Sequence, residues 1–100
     1  MNLGILITQS DYADKIIEIT KAAVKRGYNI SIFMTDDGVR LIKNPEVANL
    51  RRLENVGISL CDFSARNRGV DEKDIPEGIT AGTQYQNSLM HNECDKVLIF

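Results

Sequence analysis

Residues 2–34 have the sequence NLGILITQSDYADKIIEITKAAVKRGYNISIFM, in which two apolar runs flank an amphipathic stretch. The first run, residues 2–8, is apolar in nearly continuous order, which is typical of a strand buried on both faces. The stretch that follows has apolar side chains at helical spacing, and it ends at Gly27, a residue type favoured just after a helix. The second run, Asn29–Met34, is rich in Ile and Phe. This order predicts a β-α-β unit with parallel strands.

The rest of the chain continues the same alternation of apolar runs and helical patterns. Three more strands are predicted, at residues 58–61, 79–82 and 96–100, and the last of these is expected to be buried. Between the second and third strands, a helix is predicted that Asn44 caps and Gly57 ends. Residues 70–75 are also predicted to be helical. We therefore expect an α/β fold, a three-layer αβα sandwich with a parallel five-stranded sheet, formed as one domain by residues 1–100.

The composition excludes several classes of protein. Of the 100 residues, 43% are hydrophobic and 26% are charged, with a net charge of -2, which argues against a broad nucleic-acid-binding surface. No apolar run approaches the roughly 20 residues of a membrane span, and no signal-peptide pattern is present, so a cytoplasmic protein is expected. Two cysteines and one histidine are too few for a disulfide scaffold or a zinc site. We expect no metal and no cofactor.

Cys61 is the most informative single residue. Ligands of parallel α/β sheets bind at the carboxyl ends of the strands, and Cys61 ends the third predicted strand. A free thiol is only about 3% thiolate at pH 7, but a following helix and the charges of Arg66 and Arg68 favour the ionised form, whereas Asp62 opposes it. Two interpretations remain open here: a reactive thiol, or a small buried apolar side chain.

The other loops at the same edge offer weaker candidates. They are expected at residues 8–12, 34–38 and 82–85. In the first loop, the hydroxyls of Thr8, Ser10 and Tyr12 are candidates for binding a small ligand, and helix capping is the alternative. This loop lacks the glycines of a phosphate-binding loop.

Four further side chains are assigned minor or structural roles. Arg66 and Arg68 are candidates for contacting an anion or the acidic surface of a partner, and a solvated face is the alternative. Cys94 lies at the amino end of the last strand, the wrong edge for a shared site, so a disulfide with Cys61 is not expected. Tyr85 is expected on the apolar edge of the last helix.

Three segments resemble the DsrE/DsrF-like family, in particular its sulfur-relay members. They are Val56-Gly57-Ile58-Ser59-Leu60-Cys61 followed by Ala65-Arg66-Asn67-Arg68-Gly69-Val70, and the ending Cys94-Asp95-Lys96-Val97-Leu98-Ile99-Phe100. The resemblance implies an αβα fold with a parallel five-stranded sheet. It also implies homo- or hetero-oligomers, trimers or hexamers, built from related subunits.

The same resemblance implies a function for one residue. In the relay members, the cysteine at the position of Cys61 accepts a sulfane sulfur, carries it as a persulfide and gives it to a cysteine-containing acceptor protein. The sequence therefore favours a sulfur-relay protein, a persulfide-carrying sulfurtransferase. The alternative is a non-catalytic DsrE-like subunit or small-ligand-binding module that acts through oligomeric assembly.

Overall fold

The computed structural model describes residues 1–100, which form five strands: β1 (Asn2–Ile7), β2 (Asn29–Met34), β3 (Val56–Cys61), β4 (Thr80–Gly82) and β5 (Lys96–Ile99). All neighbouring strands are parallel, and the order across the sheet is β4-β3-β2-β1-β5. The predicted α/β fold with an all-parallel five-stranded sheet is confirmed.

Helical segments connect the strands and cover both faces of the sheet. The α-helices are α1 (Ala13–Lys25), α2 (Pro45–Ala48), α3 (Asp62–Asn67) and α4 (Gln84–Glu93), and the 3₁₀ segments are Asp36–Lys43, Asn49–Arg52 and Glu72–Asp74. None of the helices combines the length and the apolar composition that crossing a bilayer requires. The sheet therefore lies between two helical layers.

The two faces of the sheet have different cores. On one face, 19 buried residues from the strands, α1, α2, α3 and two of the 3₁₀ segments form the main cluster. On the other face, Phe33, Cys61 and Met90 form a smaller cluster under α4. Because successive side chains of a strand point to opposite faces, Cys61 points into this thinner layer while its neighbour Leu60 points into the main core. The thiol is thus covered by a single helix.

The chain path explains which strand ends lie together. The connections from β1 through β4 pack on the face of the main cluster, so each new strand is added on the same side of the sheet. Only α4 crosses the opposite face, and it places β5 beside β1. The carboxyl ends of β2, β3 and β4 therefore form one row.

Two of the predicted helix boundaries differ from the structure. Asn44 caps α2 as predicted, since its side-chain oxygen accepts the backbone N–H groups of Glu46 at 3.0 Å and Val47 at 3.4 Å. Gly57, however, does not end the following helical stretch. It lies inside β3, and Asn55, with a φ of 66°, makes the turn. Asparagine is among the few non-glycine residues that adopt this conformation readily.

Residues 70–75 were predicted to be helical, but only Glu72–Asp74 forms a single 3₁₀ turn. Asp71 and Asp74 cap this turn reciprocally through their side chains. Ile75 then has extended dihedral angles, which is the conformation that the following Pro76 favours. The proline thus prevents a longer helix.

The last strand is not buried as predicted. β5 lies at the edge of the sheet and pairs only with β1, and Ile99 is 66% exposed. An apolar run predicts burial on both faces, but α4 is a single helix and does not cover this edge. The exposed part of β5 leaves an apolar strip on the α4 face, formed by Leu6, Val97 and Ile99.

Candidate functional site

Cys61 lies at the bottom of a cleft at the carboxyl edge of the sheet. It is the last residue of β3, α3 begins at the next residue, and its exposed fraction is 5%. The cleft has a volume of about 650 Å³ and is lined by residues 35–36, 61–64, 66 and 82–85. Three of the four predicted edge loops therefore meet here. We call this feature the Cys61 cleft.

A buried hydrogen-bond network joins these three loops. Ser64, in the first turn of α3, accepts the backbone N–H of Asp36 on its Oγ at 3.0 Å. The same Oγ lies 3.4 Å from Oγ1 of Thr35, which follows β2. Gln84, at the start of α4, donates its Nε2 hydrogen to Thr35 Oγ1 at 3.0 Å. The sides of the cleft are therefore held together by side chains around the thiol.

This environment stabilises the Cys61 thiolate. Burial by itself raises the pKa of the thiol, because it removes water from the charged form. Hydrogen bonds from the hydroxyl and N–H of Ser64, the side-chain amide of Gln84 and the N–H of Phe63 lower the pKa, and together they outweigh burial. The pKa of Cys61 therefore lies below its ordinary value, so more thiolate is present at neutral pH.

Cys94 has the opposite electrostatic environment. Burial raises the pKa of its thiol, a hydrogen bond with the Ser31 side chain lowers it, and the negative charges of Glu93 and Asp95 raise it further. The net pKa is above the ordinary value. Both cysteines are free thiols, but only Cys61 opens into the cleft.

The two predicted arginines lie in different places. Arg66 lines the Cys61 cleft, and its Nε bonds an Asp62 carboxylate oxygen at 2.8 Å with the guanidinium largely exposed. Arg68 does not line the cleft. Its Nε donates a hydrogen bond to an Asp37 carboxylate oxygen at 2.7 Å. Contact with an anion or partner stays a prediction for both, and only Arg66 is near the thiol.

The predicted ligand loop after β1 does not reach the cleft. Thr8 donates its hydroxyl hydrogen to the Phe100 carbonyl at 2.8 Å, and the Tyr12 ring packs 6.0 Å from the Phe100 ring. Ser10 is half-buried. Helix α1 starts after Tyr12 without a side-chain cap, so the capping alternative is wrong. Ligand binding by Thr8, Ser10 and Tyr12 stays a prediction.

Two exposed aromatic side chains stand at the rim of the Cys61 cleft. Phe63 is 74% exposed and Tyr85 is 63% exposed, and they come from α3 and α4. Tyr85 was expected on the apolar edge of α4, but Met90 fills that buried position. Large exposed apolar side chains beside a buried reactive group are typical of a contact surface.

The sequence analysis missed the polar groups around the thiol. The spacing Cys61-x-x-Ser64 at the start of a helix was a usable signal, because residues three apart on a helix lie on one side. Thr35 and Gln84 carried no local signal beyond their position after predicted strands. They are 49 residues apart in the chain, and only the sheet brings them together.

The sequence pattern of the DsrE/DsrF-like family matches residues 1–100. The chain belongs to this family. It is 28% identical to the uncharacterized protein MJ0989 of Methanocaldococcus jannaschii over an alignment of 114 residues, gaps included, which covers all of both proteins.

Solved structures of two other proteins have the same fold. The ychN protein of E. coli superposes with a TM-score of 0.71 and 16% identity, over 99% of this chain and 97% of that one. MTH1491 of Methanobacterium thermoautotrophicum, a protein of unknown function, superposes with a TM-score of 0.72 and 15% sequence identity. The superposition covers 99% of this chain and 98% of that one. At these sequence identities the structural similarity establishes only the fold, so the activity of this protein has to be argued from its site.

Proposed function

We propose that this DsrE-like protein is a sulfur-relay protein that carries sulfane sulfur as a persulfide on Cys61. The observation that carries the proposal is the position of Cys61: a thiol with a lowered pKa at the bottom of a cleft, with hydrogen-bond donors around it. The thiolate is the form that attacks a disulfide or persulfide sulfur. The resemblance of the Cys61 segment to the relay members supports the same assignment.

The transfer needs no oxidant or metal. The Cys61 thiolate attacks the outer sulfur of a donor persulfide, R–S–SH, and a new bond forms between Sγ and that sulfur. The S–S bond of the donor breaks, and the donor leaves as the thiolate R–S⁻. Cys61 then carries the outer sulfur with its hydrogen, so atoms and electrons balance.

The second step reverses the roles of the sulfurs. The thiolate of an acceptor protein attacks the outer sulfur of the Cys61 persulfide, and Cys61 leaves as a thiolate. A leaving thiolate of lower pKa departs faster. The hydrogen bonds from Ser64 and Gln84 therefore favour both loading and unloading.

A cysteine-containing protein is the partner that the cleft suits. With an exposed fraction of 5%, Cys61 is reached only through the cleft, so a partner protein must bring its own cysteine into the cleft. Phe63 and Tyr85 at the rim supply apolar surface for that partner. The Asp62–Arg66 ion pair beside them supplies polar contacts.

We further infer that the protein assembles as a trimer or hexamer with itself or related subunits. The apolar strip of Leu6, Val97 and Ile99 supports this, because α4 leaves it partly exposed along the edge of the sheet. Light scattering should give a multiple of three chains, either for this protein alone or after mixing with a related subunit. Ile99→Lys should dissociate the assembly and the exposed-site control Asn92→Lys should not. A wild-type protein that is monomeric under both conditions contradicts this inference.

Intact-protein mass spectrometry after incubation with a persulfide donor tests the relay function. Wild type and Cys94→Ser should gain about 32 Da, one sulfur atom, and lose it on reduction. Cys61→Ser should gain nothing while keeping its fold by circular dichroism. No adduct on wild type, or an adduct on Cys94 alone, refutes the relay.

The volume of the cleft favours one second candidate, a small-ligand-binding module or non-catalytic subunit. About 650 Å³ is within the range of small-molecule sites, and the exposed aromatics suit an apolar ligand. This function predicts a ligand whose affinity is unchanged in Cys61→Ser. The relay function predicts that Cys61→Ser abolishes activity.

A further inference from the structure

We propose that Ser64 is the positioning residue of this site, held by Thr35 and Gln84 so that its single hydroxyl hydrogen points at the Cys61 sulfur. This inference deepens the proposed function, since it assigns how the reactive thiolate is maintained. It is argued from the donors and acceptors that each side chain has available.

The acceptor positions of Ser64 have partners in the loop that follows β2. A serine hydroxyl has one hydrogen and two lone pairs. The backbone N–H of Asp36 donates to one lone pair at 3.0 Å. Thr35 Oγ1, at 3.4 Å, is the partner for the second. If Thr35 donates there, the hydrogen of Ser64 is left for Cys61.

Gln84 fixes the direction of that Thr35–Ser64 bond. The Nδ2 of Asn87 donates to Gln84 Oε1 at 3.2 Å, so the amide group of Gln84 is oriented with Nε2 towards the cleft. Nε2 then donates to Thr35 Oγ1 at 3.0 Å. With Nε2 on one lone pair of its oxygen, Thr35 still has its own hydrogen to donate, and we assign that hydrogen to the bond with Ser64.

Hydrogens therefore point in one direction along the series Gln84, Thr35, Ser64, Cys61. Thr35 is 8% exposed and Ser64 is 4% exposed, so the bond between these two hydroxyls is largely shielded from water. Hydrogen bonds in such a water-poor setting polarise one another and are stronger than at the surface. The second Nε2 hydrogen of Gln84 is left for another acceptor, and Gln84 and Cys61 line the same cleft.

The test is the rate of Cys61 alkylation by iodoacetamide as a function of pH. Peptide mapping by mass spectrometry separates Cys61 from Cys94. Ser64→Ala should move the inflection of the Cys61 profile upward by about 1 on the pH scale, which leaves about tenfold less thiolate at neutral pH. Gln84→Leu should move it in the same direction by less. The control Ser88→Ala, exposed on α4, should match wild type.

A structural defect and a positioning role give different profiles. If Ser64 only positions and stabilises the thiolate, Cys61 should be alkylated equally fast in Ser64→Ala and in wild type at pH values above both inflections. Because Ser64 is buried, melting temperatures accompany the profiles. Gln84 is exposed, so Gln84→Leu keeps the test valid if Ser64→Ala does not fold. If the inflection is the same as in wild type in whichever of Ser64→Ala and Gln84→Leu folds, the proposal is overturned.

The outcomes also separate this inference from the relay function. A raised inflection in Ser64→Ala supports the positioning role even if wild type takes up no sulfur from a persulfide donor. Sulfur uptake by wild type together with an unchanged inflection in Ser64→Ala leaves the relay standing and removes Ser64 from it.

Discussion

Gly38 connects the stability of the fold to the geometry of the thiol. It is buried in the 3₁₀ segment Asp36–Lys43, directly over the end of β1. A Cβ added there would lie 2.6 Å from the carbonyl carbon of Ile7 and closer still to its oxygen, where ordinary contacts are about 3.5 Å. In Gly38→Ala this segment must therefore move away from β1 by roughly 1 Å.

The cost follows from the contacts that this movement disturbs. Overpacking against rigid backbone costs about 1–3 kcal/mol. The Ile7 carbonyl also accepts the N–H of Thr35 at 2.9 Å, and weakening that hydrogen bond adds about 1 kcal/mol. We expect Gly38→Ala to lose about 2–4 kcal/mol, which lowers Tm by at least about 8 °C for a domain of this size. Displacement of Thr35 should also raise the inflection of Cys61 alkylation.

Thermal unfolding followed by circular dichroism measures the loss, and Gly57→Ala is the matched control. Gly57 lies exposed in β3, and a Cβ there would have no atom within 4 Å. Its replacement should be neutral or should raise stability by about 0.5–1 kcal/mol, because alanine loses less backbone entropy on folding. If Gly38→Ala melts within about 2 °C of Gly57→Ala, the close packing of the 3₁₀ segment on β1 is refuted.

Three further predictions concern single side chains. Asn44→Ala removes the cap of α2 and should cost about 1 kcal/mol in urea unfolding, and an unchanged midpoint would show that the cap is dispensable. At pH 7, iodoacetamide should modify Cys61 before Cys94 in peptide maps, since their pKa values are shifted in opposite directions; the reverse order would contradict both shifts. For Asp37, the hydrogen bond from Arg68 is the main cause of a pKa below the ordinary 3.8. Its stabilising effect should be present above about pH 4 and lost as the pH falls through the lower folded pKa, so the Tm difference between wild type and Asp37→Asn should vanish in acid; a constant difference would argue against the pair.

Local patterns were sufficient for the elements that are buried in a regular way. The continuous apolar run of β1, the apolar stripe of α1 and the exact bounds of β2 all reflect burial that repeats with the period of the element. Boundaries set by one residue were harder. Asn55 adopts a positive φ without being glycine, so the sequence pattern points to Gly57 as the end of the helix although Gly57 lies within a strand.

The exposure of a side chain depends on which other elements pack beside it, and a local sequence pattern does not contain that information. The residues of β5 are as apolar as those of β1, yet β5 lies at the edge of the sheet, where it pairs only with β1. Tyr85 is apolar enough for a helix core, but the contact of α4 with the sheet is made by Met90. Both predictions were wrong for this reason.

For the site, the sequence by itself determined that a cysteine ends the third strand of a parallel sheet and is followed by a helix start with Ser64 three residues on. These features depend on neighbouring residues, whose geometry the backbone dictates. Only the tertiary structure decided which loops surround the thiol. Parallel pairing of β2, β3 and β4 aligns their carboxyl ends, so Thr35 and Gln84, 49 residues apart, meet beside Cys61. The strand order is a property of packing the whole chain, and the loop after β1, which the sequence places at the same edge, does not line the cleft.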